Sequence, residues 1–140
     1  MNRTVLRKAA WRFTRENVGH PLSRNGTLGE NPAGLQCVNV PNDYWAALGL
    51  ESWSDNAIDW IGRSDAYREW LPMGGWQRIH SGDVGVLHPG GDVSPFGHVV
   101  LLLDGTRLPP LCIEQDWPVG SVCQLGGHQR ELYAGVVRVR

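Results

Sequence analysis

No run of this chain approaches the roughly 18 consecutive apolar residues of a membrane-crossing helix, so no membrane span is expected. Lysine is nearly missing: Lys8 is the only one, and arginine supplies the remaining positive charge. The formal net charge is −1, which gives no general reason to expect a nucleic-acid partner. No Cys-x-x-Cys pair occurs, which argues against a structural zinc site, and no metal or other cofactor is expected. The segment from Met1 to Arg15 carries charge throughout and lacks an apolar h-region, so it does not read as a secretion signal. Repeats, low-complexity stretches and linkers are missing as well. With 140 residues, 41% of them hydrophobic, one domain over 1–140 with an ordinary core is expected.

What is present is more specific. Three cysteines, Cys37, Cys112 and Cys123, leave at least one free thiol. Cys112 and Cys123 could pair, but buried thiols are the preferred reading. Seven tryptophans (Trp11, Trp45, Trp53, Trp60, Trp70, Trp76 and Trp117) are many for this length. Most should lie in the core, Trp45 among them. One or two at a groove edge would suit a sugar or peptide ligand, because a flat ring offers contact area at low entropic cost.

In the first half the periodicity is helical. Val5, Leu6, Ala9, Ala10 and Phe13 recur at spacings of three and four, predicting a helix over Arg3–Asn17 ended by Gly19 and Pro21. Residues 19–34 read as a loop with an Asn25-Gly26 turn. Asn25, Glu30 and Asn31 offer oxygen ligands there, but a single acid without an alternating Asp pattern argues against calcium. Residues 36–48 read as helix, complicated by Pro41, so either the helix kinks or its regular part starts at Pro41. A short helix is expected within Leu50–Gly62, and 63–80 is ambiguous. From Gly82 onward the pattern is β: strands at Asp83–Leu87, Gly97–Leu103, Leu111–Trp117 and Leu132–Val139, with a His88–Asp92 turn. Helices followed by antiparallel strands predict an α+β fold.

Cys37 falls between the Gly/Pro-rich loop and a helical segment. A thiol placed there can be exposed near a helix N-terminus, which would lower its pKa and make it a nucleophile. His98 is the candidate base. A five-residue loop, Asp104 to Leu108, would place His98 directly across from Glu114, with Asp116 the diagonal neighbour on the same face. A tight Asp104-Gly105 turn would instead set His98 against Leu111; Pro109 and Pro110 favour the longer loop. The carboxylate would fix the imidazole tautomer and stabilise the imidazolium. His20, His80, His88 and His128 read as solvated or locally bonded, with His80 the rival base, and Asp83 reads as a turn cap.

Four stretches taken together resemble one family. They are Gly34-x-Gln36-Cys37 with Asn42-Asp43-Tyr44-Trp45, then Gly82-Asp83-Val84, Gly97-His98-Val99-Val100 and Ile113-Glu114-Gln115-Asp116. In order and spacing they resemble the CHAP domain, the cysteine- and histidine-dependent amidohydrolase/peptidase within the papain-like (NlpC/P60-like) wall hydrolases. The resemblance implies a papain-like fold with N-terminal helices packed on an antiparallel sheet. It implies Cys37 as nucleophile, His98 as base and Glu114 as the group orienting the histidine. The Cys37 N–H and the Gln36 side chain would stabilise the oxyanion. The family usually has Asn where this chain has Asp116, which leaves Asp116 as the alternative orienter. Trp117 would line the substrate groove or pack in the core. The implied activity is hydrolysis of an amide in bacterial peptidoglycan, in the stem peptide, the cross-bridge or the link to muramic acid, by a monomer. A phage lysin is the expected setting, acting on the wall from the host cytoplasm or a virion. A non-catalytic wall-binding module and an amidase toxin with an immunity partner are the alternatives.

Overall fold

The computed structural model describes residues 1–22, 36–75 and 77–140. The Asn25-Gly26 turn, the oxygen ligands of the 19–34 loop, Gly34 and Trp76 lie outside the described residues.

Helix α1 spans Arg3–Asn17, as its periodicity predicts. Asn2 caps it, its Oδ1 accepting from the backbone N–H of Thr4 at 2.7 Å and Val5 at 3.4 Å, which satisfies donors that a helix start otherwise leaves free. Leu6, Ala10 and Phe13 are buried, whereas Val5 faces outward and is 51% exposed. Helix α2 is shorter than expected, Asn39–Ala47, with Pro41 as its third residue. Proline costs little in a first turn, where its missing N–H would have had no intrahelical partner. Hence the helix is not broken at Pro41, and Cys37 precedes it in a turn.

Between Leu50 and Gly62 there is only a 3₁₀ turn, Ala57–Trp60. It presses Trp60 against Trp45 and Trp53, with ring centroids 5.1 to 5.5 Å apart. The Arg68 guanidinium lies 4.5 Å over the Trp45 ring and bonds Asp65 at 2.8 Å, so this buried cation is both paired and stacked.

Among the described residues, six strands form one antiparallel sheet: β1 Arg68–Pro72, β2 Val84–Leu87, β3 His98–Asp104, β4 Leu111–Glu114, β5 Gln124–Gly127 and β6 Tyr133–Val139, in the order β1-β6-β2-β3-β4-β5. β1 comes from the ambiguous 63–80 stretch, and β5 was not foreseen. β3 is the buried central strand that its apolar run predicts. Val99, Leu101 and Leu103 meet the core that includes Leu6, Ala10, Phe13 and Tyr44 of the helices. Val100 and Leu102 face a second apolar cluster with Cys112, Tyr133 and Val136.

The β3–β4 register differs from both registers considered above. Leu101 pairs with Ile113 and Leu102 with Cys112, after which the pairing shifts and Asp104 meets Leu111. The connection therefore runs from Gly105 to Pro110, one residue longer than the five-residue loop. Directly across from Glu114 the register places Val100, making His98 its diagonal neighbour. A slip of two residues keeps side chains on the same face, and diagonal neighbours remain within reach of long side chains. β4 ends at Glu114 rather than Trp117, and Asp116 has a positive φ of 65°, a conformation that Asp and Asn tolerate better than most residues. Asp116 thus belongs to a turn, not to the strand face.

Candidate active site

A cavity of about 680 Å³ opens where β3 begins and β4 ends. Gln36, Cys37, His98, Asp116 and Trp117 all line it, so every site residue predicted from sequence except Glu114 reaches this one space. Glu114 sits behind it.

Cys37 is held from below. The buried Gln115 side chain donates to the Gln36 carbonyl at 3.0 Å and to the Leu22 carbonyl at 2.7 Å, and accepts from the Leu22 N–H at 2.7 Å. Asn39 donates to the same Leu22 carbonyl at 2.8 Å. These bonds tie the two sides of the 23–35 segment to the end of β4 and set where the Gln36–Cys37 peptide lies. Gln115 was not singled out from sequence; its place between two acids in a strand motif was the available signal. Asn42, also in the quoted motif, is structural: it exchanges two 2.9 Å bonds with the Trp53 backbone.

The Cys37 residue is half-buried. Burial pushes its thiol up from 9.0 to about 11. Backbone N–H groups of Val99, Val38 and Cys37 itself pull the other way, and the nearby Asp116 charge adds to the rise. The expectation of a lowered thiol pKa is therefore overturned: α2 starts two residues later, and desolvation outweighs the helix end.

His98 is buried, and its Nε2 lies 2.7 Å from Glu114 Oε1. The His–carboxylate couple inferred from the strand pattern thus exists. Glu114 is the partner of Nε2, while Asp116 Oδ1 accepts from the Gly120 N–H at 2.6 Å in its own turn. Burial alone would raise the Glu114 carboxyl. Hydrogen bonds from His128 and His98 outweigh it and hold the group below its ordinary 4.5.

His128 corrects a second expectation. It is neither solvated nor bonded locally: its Nε2 lies 2.6 Å from the same Glu114 oxygen. Trp117 packs against both rings, with centroids 5.0 Å from each, so it lines the cavity and supports the histidines at once. The signal for His128 was Gly126-Gly127-His128, since a glycine in a strand often marks a close approach. His80, the rival base, lies by the Asp83 turn, where its N–H bonds Asp83 at 2.8 Å. Asp83 also holds Arg138 at 2.8 Å, which makes it a turn cap and ion-pair partner.

Cys112 and Cys123 are both free and buried; burial pushes Cys123 up to about 12 and Cys112 further. Among the described residues, His98, Glu114 and His128 form a cluster with ligand atoms within 4.8 Å of one another. Their 2.6 and 2.7 Å contacts are hydrogen-bond distances, shorter than the roughly 3.3 Å between ligands arranged tetrahedrally around zinc.

No protein-family model matches the chain, and no curated protein matches it. Solved structures do match. The wild-type endolysin LysIME-EF1 superposes with a TM-score of 0.76 at 21% identity, covering 96% of this chain and 63% of that one. Ly7917, in its structure with the hydrolyzing product of MDP, gives 0.65 at 18% identity over 95% and 62%. Rv1477, described as a hypothetical invasion protein of Mycobacterium tuberculosis, gives 0.63 at 21% over 99% and 65%. The chain therefore spans less than two thirds of the length of these solved chains. The likeness shows a shared α+β fold, consistent with a papain-like architecture.

Proposed function

We propose that the chain is a cysteine peptidoglycan hydrolase of the CHAP kind, with residues 1–140 acting as one catalytic unit. The observation that carries this reading is the buried Glu114–His98 bond at the rim of the cavity that Cys37 also lines. The fold shared with two proteins, LysIME-EF1 and Ly7917, supports it, as does the product bound to Ly7917.

Each step follows from the residues. Glu114 holds Nε2–H of His98, which leaves Nδ1 as the basic nitrogen. With the thiol near 11, roughly one Cys37 in ten thousand is thiolate at neutral pH, so the sulfur attacks with His98 as general base rather than from a stored thiolate. The thiol proton passes to Nδ1 while the sulfur bonds to the amide carbonyl carbon. The backbone N–H groups of Val99 and Val38 favour the thiolate as it develops, and the Cys37 N–H and Gln36 side chain serve the oxyanion. The carbon–nitrogen bond breaks as His98 returns the proton to the leaving amine. His98 then takes a proton from water, hydroxide displaces the sulfur, and the thiol is restored. Trp117, Phe96 and Val119 line the cavity and provide apolar walls for the peptide or sugar.

A phage lysin reaching the wall from the host cytoplasm or on a virion is the proposed setting, with peptidoglycan the partner of a monomer. Turbidity of purified sacculi tests the function. Wild type is expected to clear them and Cys37→Ala to leave them intact. Equal clearing by the two proteins would overturn the cysteine mechanism, and binding without clearing would replace the hydrolase with a wall-binding module.

A further inference from the structure

We propose that His128 is a positioning residue that holds the Glu114 carboxylate in place for His98; the proposal rests on the hydrolase reading above. The two imidazoles converge on one oxygen: Nε2 of His98 at 2.7 Å and Nε2 of His128 at 2.6 Å from Glu114 Oε1. An oxygen that accepts two N–H groups uses both lone pairs, so both rings must present Nε2–H to it. His128 does not line the cavity and is 7% exposed, so it acts through Glu114 rather than on substrate.

The arrangement is built from three strands. His98 starts β3, Glu114 ends β4, and His128 follows β5, where Gly126 leaves room for the carboxylate. Trp117 closes the group by packing on both rings. Two consequences follow for the chemistry. A buried carboxylate with a single donor is free to rotate about its side-chain bonds, whereas two donors fix the oxygen that His98 needs. A second donor also shares the charge of Oε1, which moderates its pull on the imidazolium and leaves that proton available to the leaving amine. The other titratable groups facing Glu114 are Cys112 on its own strand and Tyr133 from β6, both with raised pKa values and hence neutral across the working range. On the cavity side are Cys37 and Asp116.

The test compares wild type, His128→Ala and His128→Gln, the last keeping an N–H donor. For His128→Ala, kcat on sacculus fragments is expected to fall roughly ten- to hundredfold with little change in KM, by analogy with the loss when the outer partner of a metal-bound histidine is removed. Its acidic limb should move to higher pH, because Glu114 loses a donor to its ionised form. His128→Gln should recover both. A purely structural role would lower the folded fraction and leave the limb in place. An unmoved limb, or no recovery in the glutamine variant, overturns the proposal. Proton NMR of the hydrogen-bonded imidazole N–H signals is independent of activity. The His98 Nε2–H signal should be sharp in wild type and His128→Gln and broadened by solvent exchange in His128→Ala. The same sharp signal in all folded variants contradicts the positioning role even if wild type clears no sacculi. Should the alanine variant not fold, His128→Gln against His128→Leu carries the same two readouts.

Discussion

A β-carbon placed on Gly126 would lie 1.9 Å from Glu114 Oε2. The carboxylate therefore occupies the space that any other residue at position 126 would fill. Its far oxygen cannot swing aside freely, because Oε1 is held by two histidines. Gly126→Ala is expected to displace the carboxylate from His98 and to cost about a hundredfold in kcat, the scale of an ångström-sized misplacement near a reacting centre. Kinetics on sacculus fragments, with thermal melts to confirm folding, check this; unchanged kcat would show that Glu114 has room elsewhere.

Glu114→Gln separates charge from shape. The amide oxygen can still accept from both imidazoles, but it no longer stabilises an imidazolium. The expected loss is about 10²–10⁴-fold in kcat with a normal unfolding curve. Glu114→Ala should also destabilise, since two buried N–H groups lose their acceptor at about 1–3 kcal/mol each. Urea unfolding of the three proteins distinguishes the two effects.

The raised Cys37 thiol predicts how it meets an alkylating reagent. Iodoacetamide modification should keep accelerating as pH rises toward about 11, because thiolate is the reactive form. A plateau already reached below about pH 7 would mean a preformed thiolate–imidazolium pair. Mass spectrometry of the modified peptide identifies the site, since Cys112 and Cys123 are buried.

Stability should fall in alkali. Cys37, Cys112, Cys123, Tyr44 and Tyr133 all have pKa values raised by burial above the ordinary 9.0 for cysteine and 10.0 for tyrosine. Above about pH 9 the unfolded chain sheds protons that the folded chain keeps, so the unfolding free energy declines as pH rises and is unaffected by these groups below that point. Urea midpoints across the alkaline range check the sign; a rising midpoint contradicts it.

Much of this architecture could be read from residue patterns. α1 was legible to the residue because an amphipathic period is closed at the far end by Gly19 and Pro21. β3 was legible because Val99 to Leu103 is an unbroken apolar run. That His98 and Glu114 share a face followed from the longer-loop register that Pro109 and Pro110 favour. Their observed register did not, because a two-residue slip preserves the face and only the real length of the 105–110 connection decides it. β5 escaped notice because Gln124-Leu125-Gly126-Gly127 has little intrinsic β preference; it forms by pairing with β4. His128 was lost with it. The thiol's pKa is not legible in the sequence because its position relative to a helix is local, whereas it is buried by packing against a core that distant residues such as Val99 build.

The cysteine-hydrolase mechanism is tested most directly by the fragments released from purified sacculi, identified by mass spectrometry with Cys37→Ala in parallel. It predicts products in which one amide has been hydrolysed, giving either new amino termini from stem peptide or cross-bridge, or muramic acid freed of its peptide, with neither formed by Cys37→Ala. Products cut only in the glycan strand, or amide products formed equally by the alanine variant, would contradict it.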